Sequence, residues 1–257
     1  MNCPICNTGV LTASALPAYL RCTNCLCNIA GDMNPRPPEQ YDEVEWYGPR
    51  WEFGLAVKRL AGINSIVELG CGEGFFAAAI IRPGLKYIGV DFNTRAIATA
   101  RQRIPESNVC FTASLQAVAQ PGDALVAFHV LEHIPNLREA LLEILRHSNP
   151  RIIIISVPSP HRVLVKYSLR ESWDQPPHHL YHFTQSGLAI LFRSLNYSLT
   201  NTEFEPLRND EVNTLLENKI RIPKYARKVL SSAFSLVPRS MRPKIGQAMM
   251  MTFTRGR

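Results

Sequence analysis

The sequence predicts an α/β fold, a mostly parallel sheet with helices on both faces, preceded by a small cysteine-rich appendage. Three observations carry this. SIVELGCGEGFF, Ser65 to Phe76, reads as an apolar strand, a glycine turn and a helix start, and YIGVDFN, Tyr87 to Asn93, reads as a second strand ending in an acid. RIIIISVP, Arg151 to Pro158, is nearly continuous in apolar residues, the pattern of a parallel strand covered on both faces. Five of the seven cysteines fall within the first 27 residues, which sets that segment apart.

In chain order, Cys3, Cys6, Cys22 and Cys25 form C-x2-C-x15-C-x2-C, the spacing of a four-thiolate structural zinc site. Two redox or disulfide pairs are the competing reading, and Cys27 is a spare thiol able to replace Cys25. Residues 1–31 are expected to form a zinc ribbon, too small to bury a core unaided, so metal binding would supply much of its folding energy. Residues 32–40, with NPRPPEQ from Asn34 to Gln40, read as a proline-rich linker, because the rings and the pre-proline residues resist helix formation. Residues 41–257 form the main domain. Tyr41 to Leu60 is an aromatic, amphipathic helical stretch in which Tyr47 and Trp51 could cover a ligand or pack on the sheet.

Parallel strands are expected near 65–69, 86–90, 108–111, 124–128 and 151–157, with Tyr197 to Phe204 and Ala248 to Thr254 completing seven. Cys71 in the glycine turn and Cys110 in the third strand read as small buried thiols. Between the fourth and fifth strands, Leu137, Leu141, Leu142 and Leu145 recur at helical spacing. Asp91 lies 21 positions after Gly70, about the ~20-residue offset at which an α/β unit places a carboxylate on ribose hydroxyls. An adenosine-type cofactor follows. Gly70, Gly72 and Gly74 give G-x-G-x-G, with Phe75 where a dinucleotide fingerprint wants glycine. Glu68 would repel a pyrophosphate and tolerate an ammonium or sulfonium. Both features favour S-adenosylmethionine over NAD.

The strings VELGCGEG, GVDFN, DALVAFHVLEHI and PPHHLYHFT resemble the class I S-adenosylmethionine-dependent methyltransferases, particularly those that modify glycans and small molecules. The resemblance covers roughly residues 41 to 205. It implies a Rossmann-like seven-stranded sheet and cofactor contacts at Glu68, Gly70, Cys71, Gly72, Gly74, Asp91, Phe92, Ser114, Phe128 and His129. Ser114 replaces the aspartate often found beside the adenine.

Methyl transfer to a hydroxyl needs alignment of nucleophile, carbon and sulfur, and removal of a proton. Histidine suits the second task, because its unperturbed pKa lies near neutrality. Five of the seven histidines cluster after the fourth strand, His129 and His133, and in the PPHH loop, His178, His179 and His182. The expected base is His179, then His178, with His129 and His133 as further candidates; His133 and His182 also have plain packing or hydrogen-bonding roles. A catalytic metal on His129, Glu132 and this loop lacks an acidic loop partner. Thr184 is expected to cap the next helix.

From Asp210 to the end there are ten Lys or Arg and three acids, while the remainder carries 18 of each sign. Residues 210–245 therefore read as a basic helical insertion, with Ile220, Ile222, Tyr225, Val229, Leu230 and Phe234 as its apolar face. Such a segment rests on an anionic membrane, binds a lipid-linked substrate, or is simply solvated. The expected activity is O-methylation of a saccharide, nucleotide-sugar or lipid-linked glycan intermediate. An rRNA or tRNA methyltransferase is the alternative. Against nucleic acid as partner, FHVLEH replaces the N-P-P-[YF] type, and the ribbon has only Arg21 among strong bases. A noncatalytic cofactor-binding module is the third reading; the intact glycines and Asp91 oppose it. The opening MNCPIC shows no leader pattern and no apolar run approaches about 18 residues. A cytoplasmic location is expected, with peripheral membrane contact.

Overall fold

The computed structural model describes residues 2–35, 48–115, 122–166, 172–220 and 222–256. Most of the expected linker, and Tyr47, lie outside them. The chain opens with three short strands, β1 (Leu11–Ala13), β2 (Tyr19–Cys22) and β3 (Asn28–Ala30). Helix α1 (Trp51–Arg59) leads into β4 (Ser65–Leu69), α2 (Phe75–Ile80), β5 (Lys86–Val90), α3 (Thr94–Arg103), β6 (Val109–Thr112) and β7 (Ala124–Phe128). Then come α4 (Leu137–Ser148), β8 (Ile152–Pro158), α5 (Val163–Lys166), β9 (Tyr181–His182), α6 (Gln185–Ser194) and β10 (Tyr197–Phe204). The insertion supplies α7 (Asn209–Leu215) and α8 (Lys224–Ser235) before β11 (Ala248–Arg255).

The main sheet has seven strands in the order β10-β11-β8-β7-β4-β5-β6. Strands β4 to β8 run parallel, and β11 is antiparallel to both β8 and β10. The seven strands fall where the hydrophobic runs place them, because every residue of β7 and nearly all of β8 is buried between helical layers. Strand β4 pairs with β5 on one side and β7 on the other, so strand order reverses beyond its carboxyl end, where α/β sheets bind ligands.

In α4 the buried positions are Leu137, Leu141 and Ile144, while Leu142 is exposed. Leu145 packs against the same core, so of the four leucines at helical spacing only Leu142 faces outward. Asn93 caps α3 by accepting from the Arg95 and Ala96 amides, and Thr184 caps α6 by accepting from Gly187. The basic insertion packs inward through a small cluster joining Val163, Leu207, Val212, Leu215, Phe234 and Ile245. Of its expected apolar face, Ile220, Tyr225, Val229 and Leu230 are exposed. No described helix is long and apolar enough to cross a membrane.

The cysteine-rich segment is not a free appendage. Strand β3 pairs antiparallel with β9, Asn28 opposite His182 and Ile29 opposite Tyr181, giving a second sheet β1-β2-β3-β9. Cys3, Ile5, Tyr19 and Ile29 share one buried cluster with Leu131, Leu180, Leu188 and Phe192. A segment too short for a core of its own thus borrows one from the main domain.

Candidate active site

The cofactor end is built by two neighbouring strand ends. Gly70 has φ 67° and Gly74, which opens α2, has φ 78°, the left-handed region that favours glycine. A Cβ at Gly70 would also stand 2.2 Å from Val130 Cγ2. Asp91, just past β5, clamps this turn, its Oδ2 accepting from the Gly72 amide at 2.8 Å and its Oδ1 from Asn93 at 2.8 Å. Burial raises the Asp91 pKa against these amides, which favour the charged form. Glu68 is fully enclosed and accepts from the Tyr87 hydroxyl. Burial, then the Asp91 charge, pushes the Glu68 carboxyl well above the usual carboxylate range.

The other expected cofactor residues are spread around this turn. The Cys71 thiol is buried and pushed up by that burial, Phe92 is exposed beside Asp91, and Ser114 is exposed beyond β6 with its amide donating to Thr112 Oγ1 at 3.1 Å. The Phe128 ring lies inward, with Phe53 and Phe76 at 5.1 and 4.8 Å between centroids. A cradle that leaves no room for a Cβ, at a strand-order reversal with a buried acid on its rim, fits an adenosyl cofactor.

Beyond β7 the chain turns sharply at His129, φ 56°, a backbone region costly for a residue with a Cβ. Its Nε2 lies 3.5 Å from Glu52 Oε1 and its Nδ1 3.4 Å from Glu132 Oε1. Glu52 comes from α1 and also accepts from Ser156 Oγ at 2.9 Å. Burial and the Arg50 charge push His129 down, but Glu132 and Glu52 outweigh them and its pKa is raised. Burial opposes ionisation of Glu132, yet His129 and the nearby histidines bring it down to about 2. Glu52 Oε2 and Glu132 Oε2 are buried without a hydrogen-bond donor among the described residues, while Glu132 Oε1 has only the longer His129 contact.

The PPHH loop lies on the turn that follows, Leu180 N donating to Glu132 O at 2.8 Å. His133 Nδ1 faces His178 O at 2.6 Å, and His179 Nδ1 faces Asp174 Oδ1 at 3.0 Å. Each Nδ1 meets an acceptor, so each carries the proton and leaves Nε2 as a base. Burial lowers His133 to about 4, against the Glu132 charge, and burial lowers His179 against the Asp174 contact. Both are neutral at pH 7. Asp174 also binds Arg162 Nη1 at 2.9 Å and His182 Nε2 at 3.2 Å. Burial works against its charge, but His179, His182 and Arg162 hold its pKa far below the usual range. The His178 ring stacks on His179, centroids 4.9 Å apart.

The cysteine-rich segment reaches this same loop. Tyr19 Oη donates to His179 O at 2.8 Å and lies 3.2 Å from His182 Nε2; Ala30 N donates to Leu180 O at 2.8 Å. Sulfurs of Cys3, Cys6, Cys22 and Cys25 all lie within 4.8 Å of one another. The Cys27 sulfur lies beside Cys25 and accepts from Thr184 N at 3.4 Å, so this fifth thiol borders the group.

A family model described as a methyltransferase domain matches residues 49–202. The chain belongs to this methyltransferase-domain family. Among curated proteins, it is 30% identical over 140 residues to trans-aconitate 2-methyltransferase of Azoarcus sp. (strain BH72), covering 52% of this chain and 50% of that one. It is 33% identical over 127 residues to ubiquinone biosynthesis O-methyltransferase of Sodalis glossinidius, covering 41% and 51%. The chain spans about half the length of these relatives. Magnesium protoporphyrin IX methyltransferase from Synechocystis PCC 6803, solved with bound SAH, shares the fold at TM-score 0.55 and 11% identity, covering 85% of this chain and 94% of that one.

The sequence pointed to the glycine turn, Asp91 and the two histidine clusters, and the structure places them at neighbouring strand ends and on the loop packed against them. Sequence reasoning missed Glu52, Ser156, Arg162, Asp174 and Tyr19. Asp174 left a signal, an acid five positions before His179 in WDQPPHH; the other four announce nothing locally.

Proposed function

We propose that this domain is an S-adenosylmethionine-dependent O-methyltransferase acting on a hydroxyl-bearing small molecule or glycan intermediate, with His179 as general base. One observation carries the reading: a buried carboxylate, Asp174, bonded to Nδ1 of a neutral imidazole, His179, on the loop over the β7 end. That is the arrangement in which an orienting acid fixes a histidine's tautomer and steadies the cation formed when it accepts a proton. The cofactor supplies an activated methyl, leaving the chain to align the acceptor oxygen and remove its proton. Gly70, Gly72, Gly74 and Asp91 would hold the adenosyl group. The second oxygens of Glu52 and Glu132, Oε2 in each, have no donor among the described residues, which is what supports an acceptor bearing hydroxyl donors. The relative named as a ubiquinone biosynthesis O-methyltransferase is consistent with oxygen as acceptor.

The cysteine cluster is read as a structural zinc site. Zn–S bonds of about 2.3 Å in a tetrahedron put sulfurs about 3.8 Å apart. Cys3 and Cys25 sulfurs are 3.7 Å apart and Cys6 and Cys22 sulfurs 3.5 Å, too far for disulfides, with backbone amides donating to Cys3, Cys6 and Cys22. With β3 and Tyr19 committed to the PPHH loop, this ribbon buttresses the site rather than offering an RNA-binding face.

The test is transfer of labelled methyl from S-adenosylmethionine to a panel of monosaccharides, catechols and hydroxy acids. An alkali-stable ether is expected, with turnover about 10²-fold lower in His179→Ala and cofactor affinity little changed. Wild-type turnover of that variant from about pH 6 to 9 would remove His179 as base.

A further inference from the structure

Helix α8 is apolar on two opposite sides, and the chain covers one of them. At about 100° per residue, Phe234 lies on the side that packs against Val163, Leu207 and Ile245. Tyr225, Val229, Ser232 and Leu236, spaced four, three and four apart, form a stripe on the opposite side. Tyr225 is 78% exposed, Val229 59% and Leu236, at the helix end, 84%. Six of the ten exposed large apolar side chains among the described residues fall between Ile220 and Met241. A helix in water turns a charged face outward, so this stripe calls for a covering partner.

Charge selects the partner. From Asn218 to Lys244 the sequence carries eight Lys or Arg and no Asp or Glu. Lys224 and Lys228 are exposed and flank the stripe along one edge, with Arg239 and Lys244 exposed beyond the helix. Arg227 is spent internally, on Glu217 at 2.8 Å. An apolar stripe headed by a tyrosine and edged with lysines suits an interface whose outer layer is anionic and whose inner layer is hydrocarbon. A second copy of this chain would bring like charges together along the same edge, which costs energy at close range.

We propose that the outward face of α8 is a membrane-docking surface for anionic lipid bilayers. The insertion is tied to the segment after β8, Val163 N donating to Ile245 O at 3.1 Å. That end of the sheet also holds His129 and the PPHH loop, so docking would bring the acceptor end close to the bilayer. Binding does not depend on the acceptor's identity or on the histidine chemistry.

The experiment is flotation of the full chain with vesicles of phosphatidylcholine alone and of phosphatidylcholine with about 30% phosphatidylglycerol, at low and high salt. Binding to the anionic vesicles is expected, with little to neutral ones and a loss on the order of tenfold at high salt. Val229→Asp with Leu236→Asp, and separately Lys224→Glu with Lys228→Glu, should each cut the bound fraction on the order of tenfold while circular dichroism and S-adenosylhomocysteine affinity stay unchanged. The idea is overturned if the wild type leaves anionic vesicles unbound at low salt. It is equally overturned if the apolar pair of substitutions leaves binding intact, or if sedimentation shows a dimer that Val229→Asp dissociates.

Discussion

The cofactor end and the histidine end of this site are built in different ways. At the cofactor end, residues 68 to 93 form one continuous strand–turn–helix–strand segment in which Asp91 reaches back to Gly72. At the histidine end, Tyr19, Glu52, His129, Glu132, Ser156, Arg162, Asp174 and His179 come from widely separated segments. The first is a local backbone device needing little from the rest of the molecule. The second exists only while the cysteine segment, α1, the β7 end and the PPHH loop are assembled together. Damage far from the histidines should therefore disable them and spare cofactor binding.

The largest expected effect comes from the metal. Purified protein should carry about one zinc per chain, and stripping it should unfold the ribbon, on the order of 10 kcal/mol of binding free energy being lost. Because β3 pairs with β9, hydrogen exchange should rise at residues 180–182 as well as at 19–30, while the glycine turn stays protected. Exchange confined to the ribbon would break the proposed dependence of one region on the other. Next in size is Asp174→Ala, which strands Arg162 in a buried site. Removing one partner of a buried ion pair costs roughly 3–5 kcal/mol, read as a lower urea midpoint. A midpoint near that of the wild type would mean that Asp174 is not the hub of this end.

A smaller effect is the pH dependence of stability. His133 is held near 4 in the fold against 6.5 ordinarily. Between those values the unfolded chain binds the proton and the folded chain does not, so this contribution is complete above pH 6.5 and lost as pH falls toward 4. Glu132, depressed to about 2, adds a loss in the same direction at lower pH. His129 is raised, so its contribution is present at low pH and fades as pH rises through its folded value. The urea midpoint should therefore decline from pH 6.5 to 4, and His133→Asn should flatten that slope.

What was legible in the sequence follows from the same contrast. All seven sheet strands were visible, most plainly β7 and β8, because a strand buried on both faces writes its burial into consecutive residues, as in RIIIISVP. The glycine turn was visible because left-handed backbone favours glycine, and three such positions follow one another closely at Gly70, Gly72 and Gly74. The docking of the cysteine segment was not, since β3 and β9 are separated by about 150 residues and nothing in NIA or YH marks them as partners. Nothing in the sequence set Glu52 apart within its amphipathic helix, though it is fully buried against His129 and Ser156. In α8 the expected single apolar face was wrong: Phe234 packs inward while Tyr225 and Val229 lie on the opposite, exposed side, and a list of apolar positions does not separate two such sides.

The independence of the two ends is tested most directly by calorimetry of S-adenosylhomocysteine binding to Asp91→Ala and His179→Ala side by side. Asp91→Ala removes a charged hydrogen-bond acceptor and should weaken binding by roughly 1.5–3 kcal/mol, about 10- to 150-fold. His179→Ala should stay within about twofold of the wild type, because nothing it touches belongs to the glycine turn. Equal losses in both variants, or unchanged affinity in Asp91→Ala, would contradict the separation of a cofactor end from a histidine end.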